Sequence, residues 1–555
     1  MKTKTKQKSF KMIITALAVL ATSYCAPQKS TNNVSQDLLF LAAAQTALSE
    51  SNFVEDTTYL QDSRLGPENA TISAAIQNSA TSSSVIHDIY AEVRDGATGI
   101  TVNKPISIDL LNGFYAASTS ASNSYIANDK GQILYTRVLI QNNKITLIPQ
   151  IRMQSGKTYT AVFGGITNAN GEFKGDVIIN YQNSDLDYGL YWYGKYGLCE
   201  KYFPGVDNAF YNPQGRTVVY AHGWQPDATK QDDVYSRTGF NYEMFYWSED
   251  KFDGKKEHNG LRKFTNHGWV DAGWNTGMVY WNQFADEPAV GSGNLTGVHA
   301  AEAKIWSFAG PNGSRYRTLD NNGEPVYKDF SGYVSFNGQY KKFLSLYVID
   351  ALAQNTSGNI RMTGHSLGNQ MITHIASRVD AAGIYVNRVA LLDPAWTEGA
   401  KDYLPVITTA DANLVMNHNG KKALSDNSVG RHFWVGEMSR KILFTMANKN
   451  WNRGFAIEIY HTTGLNLAIP VVDENKILME VSADISNAPW YYSGTQISDK
   501  HKAIRHHYFW SYESAAPVEC TISWWQRRRT GNLAADARTS DARIQAMMQE
   551  NRYWV

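Results

Sequence analysis

Cysteine is scarce in this chain: three among 555 residues, at Cys25, Cys199 and Cys520. So few exclude the disulfide-built scaffold on which small secreted domains rely. A dominant charge is missing too, since 52 Lys and Arg face 51 Asp and Glu for a formal net charge of +1. Without a broad basic field to displace counterions from phosphates, nucleic acid is not an expected partner. After the N-terminal leader, no apolar run reaches membrane-spanning length. Hydrophobic residues at 43% and charged residues at 19% instead describe a globular chain. Its length exceeds what a single core accommodates, so two or more domains are expected.

The leader, "MKTKTKQKSFKMIITALAVLATSYCAPQ", carries lysines at 2, 4, 6, 8 and 11, then an apolar stretch, then small residues and Cys25. A charged segment followed by a short apolar one is the layout of an export signal over 1–25. Cys25 resembles the lipid-acceptor cysteine of bacterial lipoproteins, although Tyr24 stands where that pattern has a small residue. The expected location is therefore outside the cytoplasm, either secreted or anchored to the bacterial envelope through Cys25. In an oxidising compartment Cys199 and Cys520 either pair, tying the start of the C-terminal domain to its end, or remain two thiols.

Residues 26–83 are rich in Ser, Thr, Asn and Gln and read as a polar tether. From 84 to 183 the texture becomes short period-two strands broken by Asn-Asn, Gly-Gly and Asn-Gly, which predicts a small antiparallel β-sandwich. Its segment "SGKTYTAVFGGITNANGEFKGD" resembles the strand and Asn/Asp-Gly turn of bacterial Ig-like modules. No catalytic constellation lies there, and a spacer is the expected role. From 184 to 555 strands alternate with helical stretches, the layout of a mostly parallel sheet covered by helices.

Within that region "NIRMTGHSLGNQMITHIASRV" sets Gly364, Ser366 and Gly368 between a strand and a helix. Such a turn is too tight for bulk on either side of the serine, and it holds the hydroxyl out above the sheet edge as a nucleophile. The Leu367 N–H, at the helix start, is then placed to stabilise an oxyanion. "VVYAHGWQPD" offers a second donor in an earlier strand-to-helix turn, the N–H of Trp224 after Gly223. His222 there reads as a structural hydrogen-bonder. Asp393 ends the strand "RVALLDPA" at the same sheet edge, 27 residues after the serine.

Together "HGW", "GHSLG" and "LLDPAW" resemble the pancreatic-lipase-like α/β-hydrolases over about 184–515. That resemblance implies an α/β-hydrolase fold and a Ser366–Asp393–His triad acting on carboxylic esters, most naturally of lipids, as lipase, esterase or phospholipase. It implies no metal or organic cofactor. Candidates for the base after Asp393 are His418, His432, His461, His501, His506 and His507. The family places its histidine in a loop before the last helix, with Tyr and Ser at fixed offsets. "DKHKAIRHHYFWSYES" fits for His501, with Tyr508 and Ser511, although the family's flanking cysteine and arginine are absent. A helix over about 501–514, capped by Ser498 or Asp499, is expected. His461, at the end of the strand "GFAIEIY", is the alternative base. The competing function is a surface adhesion protein built on an inactive hydrolase scaffold. Residues 225–260 are a candidate lid, and "WWQRRR" at 524–529 pairs aromatics with cations, as either a lipid-surface contact or a solvated segment.

Overall fold

The computed structural model describes residues 89–168, 175–229, 245–248, 262–288, 296–307, 310–320, 322, 324–330, 340–397, 399–414, 424, 428–462, 478, 482–486, 497–515 and 535–550. The leader, the tether, Cys25, Cys520, the 524–529 segment and most of the candidate lid lie outside them.

Two apolar clusters organise the described residues, one running from Val93 to Tyr181 and the other from Leu186 to Met548. The first fills the space between a four-stranded and a five-stranded sheet. Strand Val177–Asn183 shows why: Ile179, Tyr181 and Asn183 are buried while the residues between them are exposed, the alternation of a strand with one face on a core. The sandwich departs from the expected all-antiparallel form at one edge, where Ala97–Ile100 pairs parallel with Val177–Asn183. A parallel pair needs a long connection, and the intervening strands of the sandwich supply it.

The second cluster surrounds an eight-stranded sheet. We label its strands β1 (Gly189–Tyr193), β2 (Cys199–Lys201), β3 (Arg216–Ala221), β4 (Trp274–Tyr280), β5 (Ile360–His365), β6 (Arg388–Leu392), β7 (Ala456–His461) and β8 (Ala483–Ser486). Their order is β2-β1-β4-β3-β5-β6-β7-β8. Strand β1 is antiparallel to both neighbours, and every other pair is parallel. Strands β3 to β7 are buried almost throughout, as expected for parallel strands covered on both faces.

The principal helices are α1 (Thr296–Trp306), α2 (Tyr340–Ala353), α3 (Gly368–Ala381), α4 (Val435–Asn450), α5 (Ile497–Ser511) and α6 (Asp541–Glu550). Alternation along β5 divides them between the two faces. A Cβ at Gly364 would strike the start of α3, whereas Arg361 donates to Ala537 O just before α6 and His365 contacts α5. Among the described residues no helix is long and apolar enough to cross a membrane.

Charged groups lock the sandwich to the sheet. Arg137 grips Glu200 with two bonds of 2.7 Å, and Arg152 Nε donates to Asp187 Oδ2 at 2.8 Å. Lys201 Nζ lies 3.3 Å from the other oxygen of Asp187. Burial opposes the charge on Asp187, but Arg152 and Lys201 together hold its carboxyl below the ordinary carboxylate range. Beside them Cys199 is a free, buried thiol, pushed up to about 12 by burial. Removing one partner of a buried pair strands the other charge, at about 3–5 kcal/mol. Arg152→Ala is therefore expected to lower stability by about 3 kcal/mol in chemical denaturation, at the low end because Lys201 remains. An unchanged midpoint would show that the network contributes nothing.

Candidate active site

Three glycines explain how the chain reaches the geometry around Ser366. A Cβ on Gly364 would sit 2.3 Å from Gly368 O, and one on Gly368 would sit 2.2 Å from Ala221 O. A Cβ on Gly223 would come within 2.7 Å of the Ser366 Cβ and 3.3 Å of its Oγ. Backbone therefore lies against backbone from β3 to β5, and the Gly223–Trp224 turn stands directly beside the serine. Ser366 itself is left-handed at φ 55°, between strand β5 and helix α3, a conformation that costs a non-glycine residue about 1–3 kcal/mol and concentrates at functional sites. Asn369 holds the turn, donating to Ser366 O at 2.9 Å and Leu392 O at 3.0 Å. Leu367 is the N-cap of α3, and its N–H lies at the helix end that leaves donors without intrahelical acceptors.

Asp393 follows β6 and is also left-handed, at φ 43°. Its buried carboxylate receives Thr462 N–H on Oδ1 at 2.9 Å and the Thr462 hydroxyl on Oδ2 at 2.5 Å. His501 Nδ1 completes it, 3.1 Å from Oδ2 across 108 residues of sequence. That contact occupies Nδ1 and leaves Nε2 as the nitrogen available to a hydroxyl. His501 does not lie in a loop or at the first helical position, as the sequence suggested. Helix α5 begins at Ile497, so Ser498 and Asp499 fall inside the first turn and His501 projects from the body of the helix.

The other histidines are engaged elsewhere. His461 Nδ1 lies 2.9 Å from Asp484 Oδ1. Burial opposes a charge on His461, yet Asp484 and more distantly Asp393 raise it above the ordinary histidine value. His432 Nδ1 contacts Leu404 O at 2.6 Å. His506 stacks flat on Trp247 with centroids 5.6 Å apart, and His507 meets the same indole edge-on. His418 lies outside the described residues. His222 accepts the Trp281 N–H on Nε2 at 3.1 Å, so its Nδ1 carries the proton and donates to Gly223 O at 3.0 Å.

The turn that follows Gly223 and Trp224 has its own anchor, which no sequence motif singles out. Asp286 accepts the N–H groups of Asp227 at 2.6 Å and Thr229 at 2.9 Å, and Arg317 neutralises it at 2.8 Å. The Trp224 indole donates to Glu287 O at 2.9 Å. Thr462 escapes a reading of the sequence likewise; its one signal is its place at the strand end next to His461.

The buried imidazoles make the fold acid-sensitive. Burial takes His222 down to about 3 and, with Arg505 and His507 nearby, puts His506 well below its ordinary value. An unfolded histidine binds its proton near pH 6.5. The unfolded state therefore holds more protons below that pH, and stability falls as pH drops toward the folded values. For His222 alone, at 1.36 kcal/mol per unit, the loss by pH 4 is about 3 kcal/mol. His461, raised in the fold, acts the other way: its contribution is present below about 6.5 and fades as pH rises through its folded value. Several depressed imidazoles outweigh one raised one. Thermal midpoints taken from pH 7 to pH 4 are expected to fall steeply; a flat profile would contradict neutral buried histidines.

Residues 89–182 match the family model of the bacterial Ig-like domain. No curated protein matches the chain. Among solved structures, an S-layer protein is 15% identical over 18% of this chain and 15% of its own, with a TM-score of 0.15. A glucuronoyl esterase from Solibacter usitatus is 11% identical over 84% of this chain and 90% of its own, at a TM-score of 0.23. An α/β hydrolase superfamily protein from Enterococcus faecalis is 8% identical over 65% of this chain and 98% of its own, at 0.18. At such scores only the site's own geometry bears on function.

Proposed function

We propose that the chain is an exported serine hydrolase of the α/β-hydrolase type that cleaves carboxylic esters, with lipid esters as the preferred class. The observation that carries this reading is the 3.1 Å contact of His501 Nδ1 with a clamped, buried Asp393 beside a left-handed Ser366. In the proposed reaction Ser366 Oγ attacks the ester carbonyl while His501 Nε2 takes its proton. The tetrahedral oxyanion is held by the N–H groups of Leu367 and Trp224. His501 returns the proton to the leaving alcohol, and water then cleaves the acyl-serine by the same route in reverse. Asp393 fixes the tautomer of His501 and offsets its positive charge. The lipid preference and the export rest on the sequence motifs, as does attachment of the chain to the envelope through Cys25.

A fluorophosphonate probe on the purified chain tests the chemistry, and a panel of p-nitrophenyl esters and phospholipids tests the substrate class. A folded chain that takes no label at Ser366 would favour the adhesion scaffold. Asp393→Asn is expected to lower kcat by about 10⁴, the size of the loss when the histidine of a serine-protease triad is left in the wrong tautomer. A loss under about tenfold would mean that another carboxylate orients the base.

A further inference from the structure

Between the first glycine and the serine of the elbow stands His365, the last residue of β5, with only 4% of its surface exposed. Its Nε2 lies 2.7 Å from the backbone carbonyl oxygen of His501, and the two imidazole centroids are 4.5 Å apart. Because the partner is a carbonyl oxygen, Nε2 carries the proton and donates. His501 sits inside α5, where a carbonyl faces the N–H four residues on, and a second lone pair remains for His365. We propose that His365 is a positioning residue: its Nε2–H fixes the backbone of His501 at the distance from Ser366 that proton transfer requires, a role that rests on reading His501 as the base.

Two anchors are needed for that task. Asp393 holds the ring of His501 through Nδ1, which sets its rotation but not the approach of the helix that carries it. His365 supplies the second anchor at the backbone. Being the chain neighbour of Ser366, it gives nucleophile and base one common reference on β5. The donor also has to be uncharged. His501 becomes an imidazolium during the reaction, and another cation at that ring separation would oppose it. Burial first, then His501 and Arg505, keep His365 well below the ordinary histidine value. A lysine or arginine at 365 would donate equally well yet bring the opposing charge, so the position calls for a neutral donor with the reach of histidine.

The test compares the full-length native chain with His365→Gln, which keeps a neutral donor of similar reach, and His365→Met, which removes it. Steady-state kinetics on a p-nitrophenyl ester are expected to show kcat of the Met variant lowered about 100-fold, the scale of a 1 Å misplacement. KM should stay within about twofold, because the substrate pocket is untouched. The Gln variant is expected to recover most of the lost kcat, and fluorophosphonate labelling rates should follow the same order. Native kcat in the Met variant, or a Gln variant as impaired as Met, would overturn the proposal. If the Met variant does not fold, His365→Asn takes its place, since its amide is one methylene too short; Asn equal to native then overturns the role. An active His501→Ala variant would remove the base assignment itself, an outcome separable from failure at His365 alone.

Discussion

Ser366→Ala is expected to lower ester turnover by about six orders of magnitude, the scale seen when a triad nucleophile is deleted. Fluorophosphonate labelling should vanish with it. The fold should barely register the change. Alanine keeps the Cβ that packs against Gly223, and the bonds that hold the turn come from the backbone: Ser366 N donates to Leu392 O at 3.1 Å, and Asn369 donates to Ser366 O. The variant thus separates chemistry from stability. A thermal midpoint near that of the native protein, with no turnover, is the expected pair of readings. Residual turnover close to native would take Ser366 out of the mechanism altogether.

His501→Ala should be nearly as severe, for it removes the imidazole that reaches Asp393 Oδ2 from α5. The informative comparison is His461→Ala. His461 also ends a strand at this sheet edge, but its Nδ1 is directed at Asp484 on the neighbouring strand β8. It is therefore expected to retain most of the turnover while losing some stability, because Asp484 keeps a charge without its partner. The reverse result, a dead His461 variant and an active His501 variant, would make His461 the base and leave the hydrolase reading intact. Measuring kcat and the thermal midpoint on both variants distinguishes the two cases.

The strand–turn–helix around Ser366 is legible in the sequence because backbone crowding dictates it: nothing larger than glycine fits at 364 or 368. The position of Asp393 at a strand end is legible for a similar reason, since a run of buried aliphatics stops there. The start of α5 is not. Ser498 and Asp499 look like caps, yet acidic and small polar residues are equally at home inside a first turn, where the helix dipole favours them. The partner of His461 is hidden because it depends on the pairing of β7 with β8, in which His461 faces Ser486 and Ile459, two residues earlier, faces Asp484. Thr462 and Asp286 are invisible for want of any period or motif; a single hydroxyl or carboxylate that serves a backbone turn looks like any other loop residue. The parallel edge strand Ala97–Ile100 escaped because local alternation carries no information about the direction of a distant partner.

Modules of the Ig-like type are ordinarily thought of as beads that recombination can move from chain to chain. Here the bead has been keyed to its neighbour. Arg137 and Arg152 come from the sandwich, while their carboxylates, Glu200 and Asp187, come from the first strands of the large sheet and the segment leading into it. A gene fusion that brought in a different sandwich would leave both acids without their arginines unless the newcomer carried matching ones. Exchanging the sandwich alone would therefore cost stability at the joint.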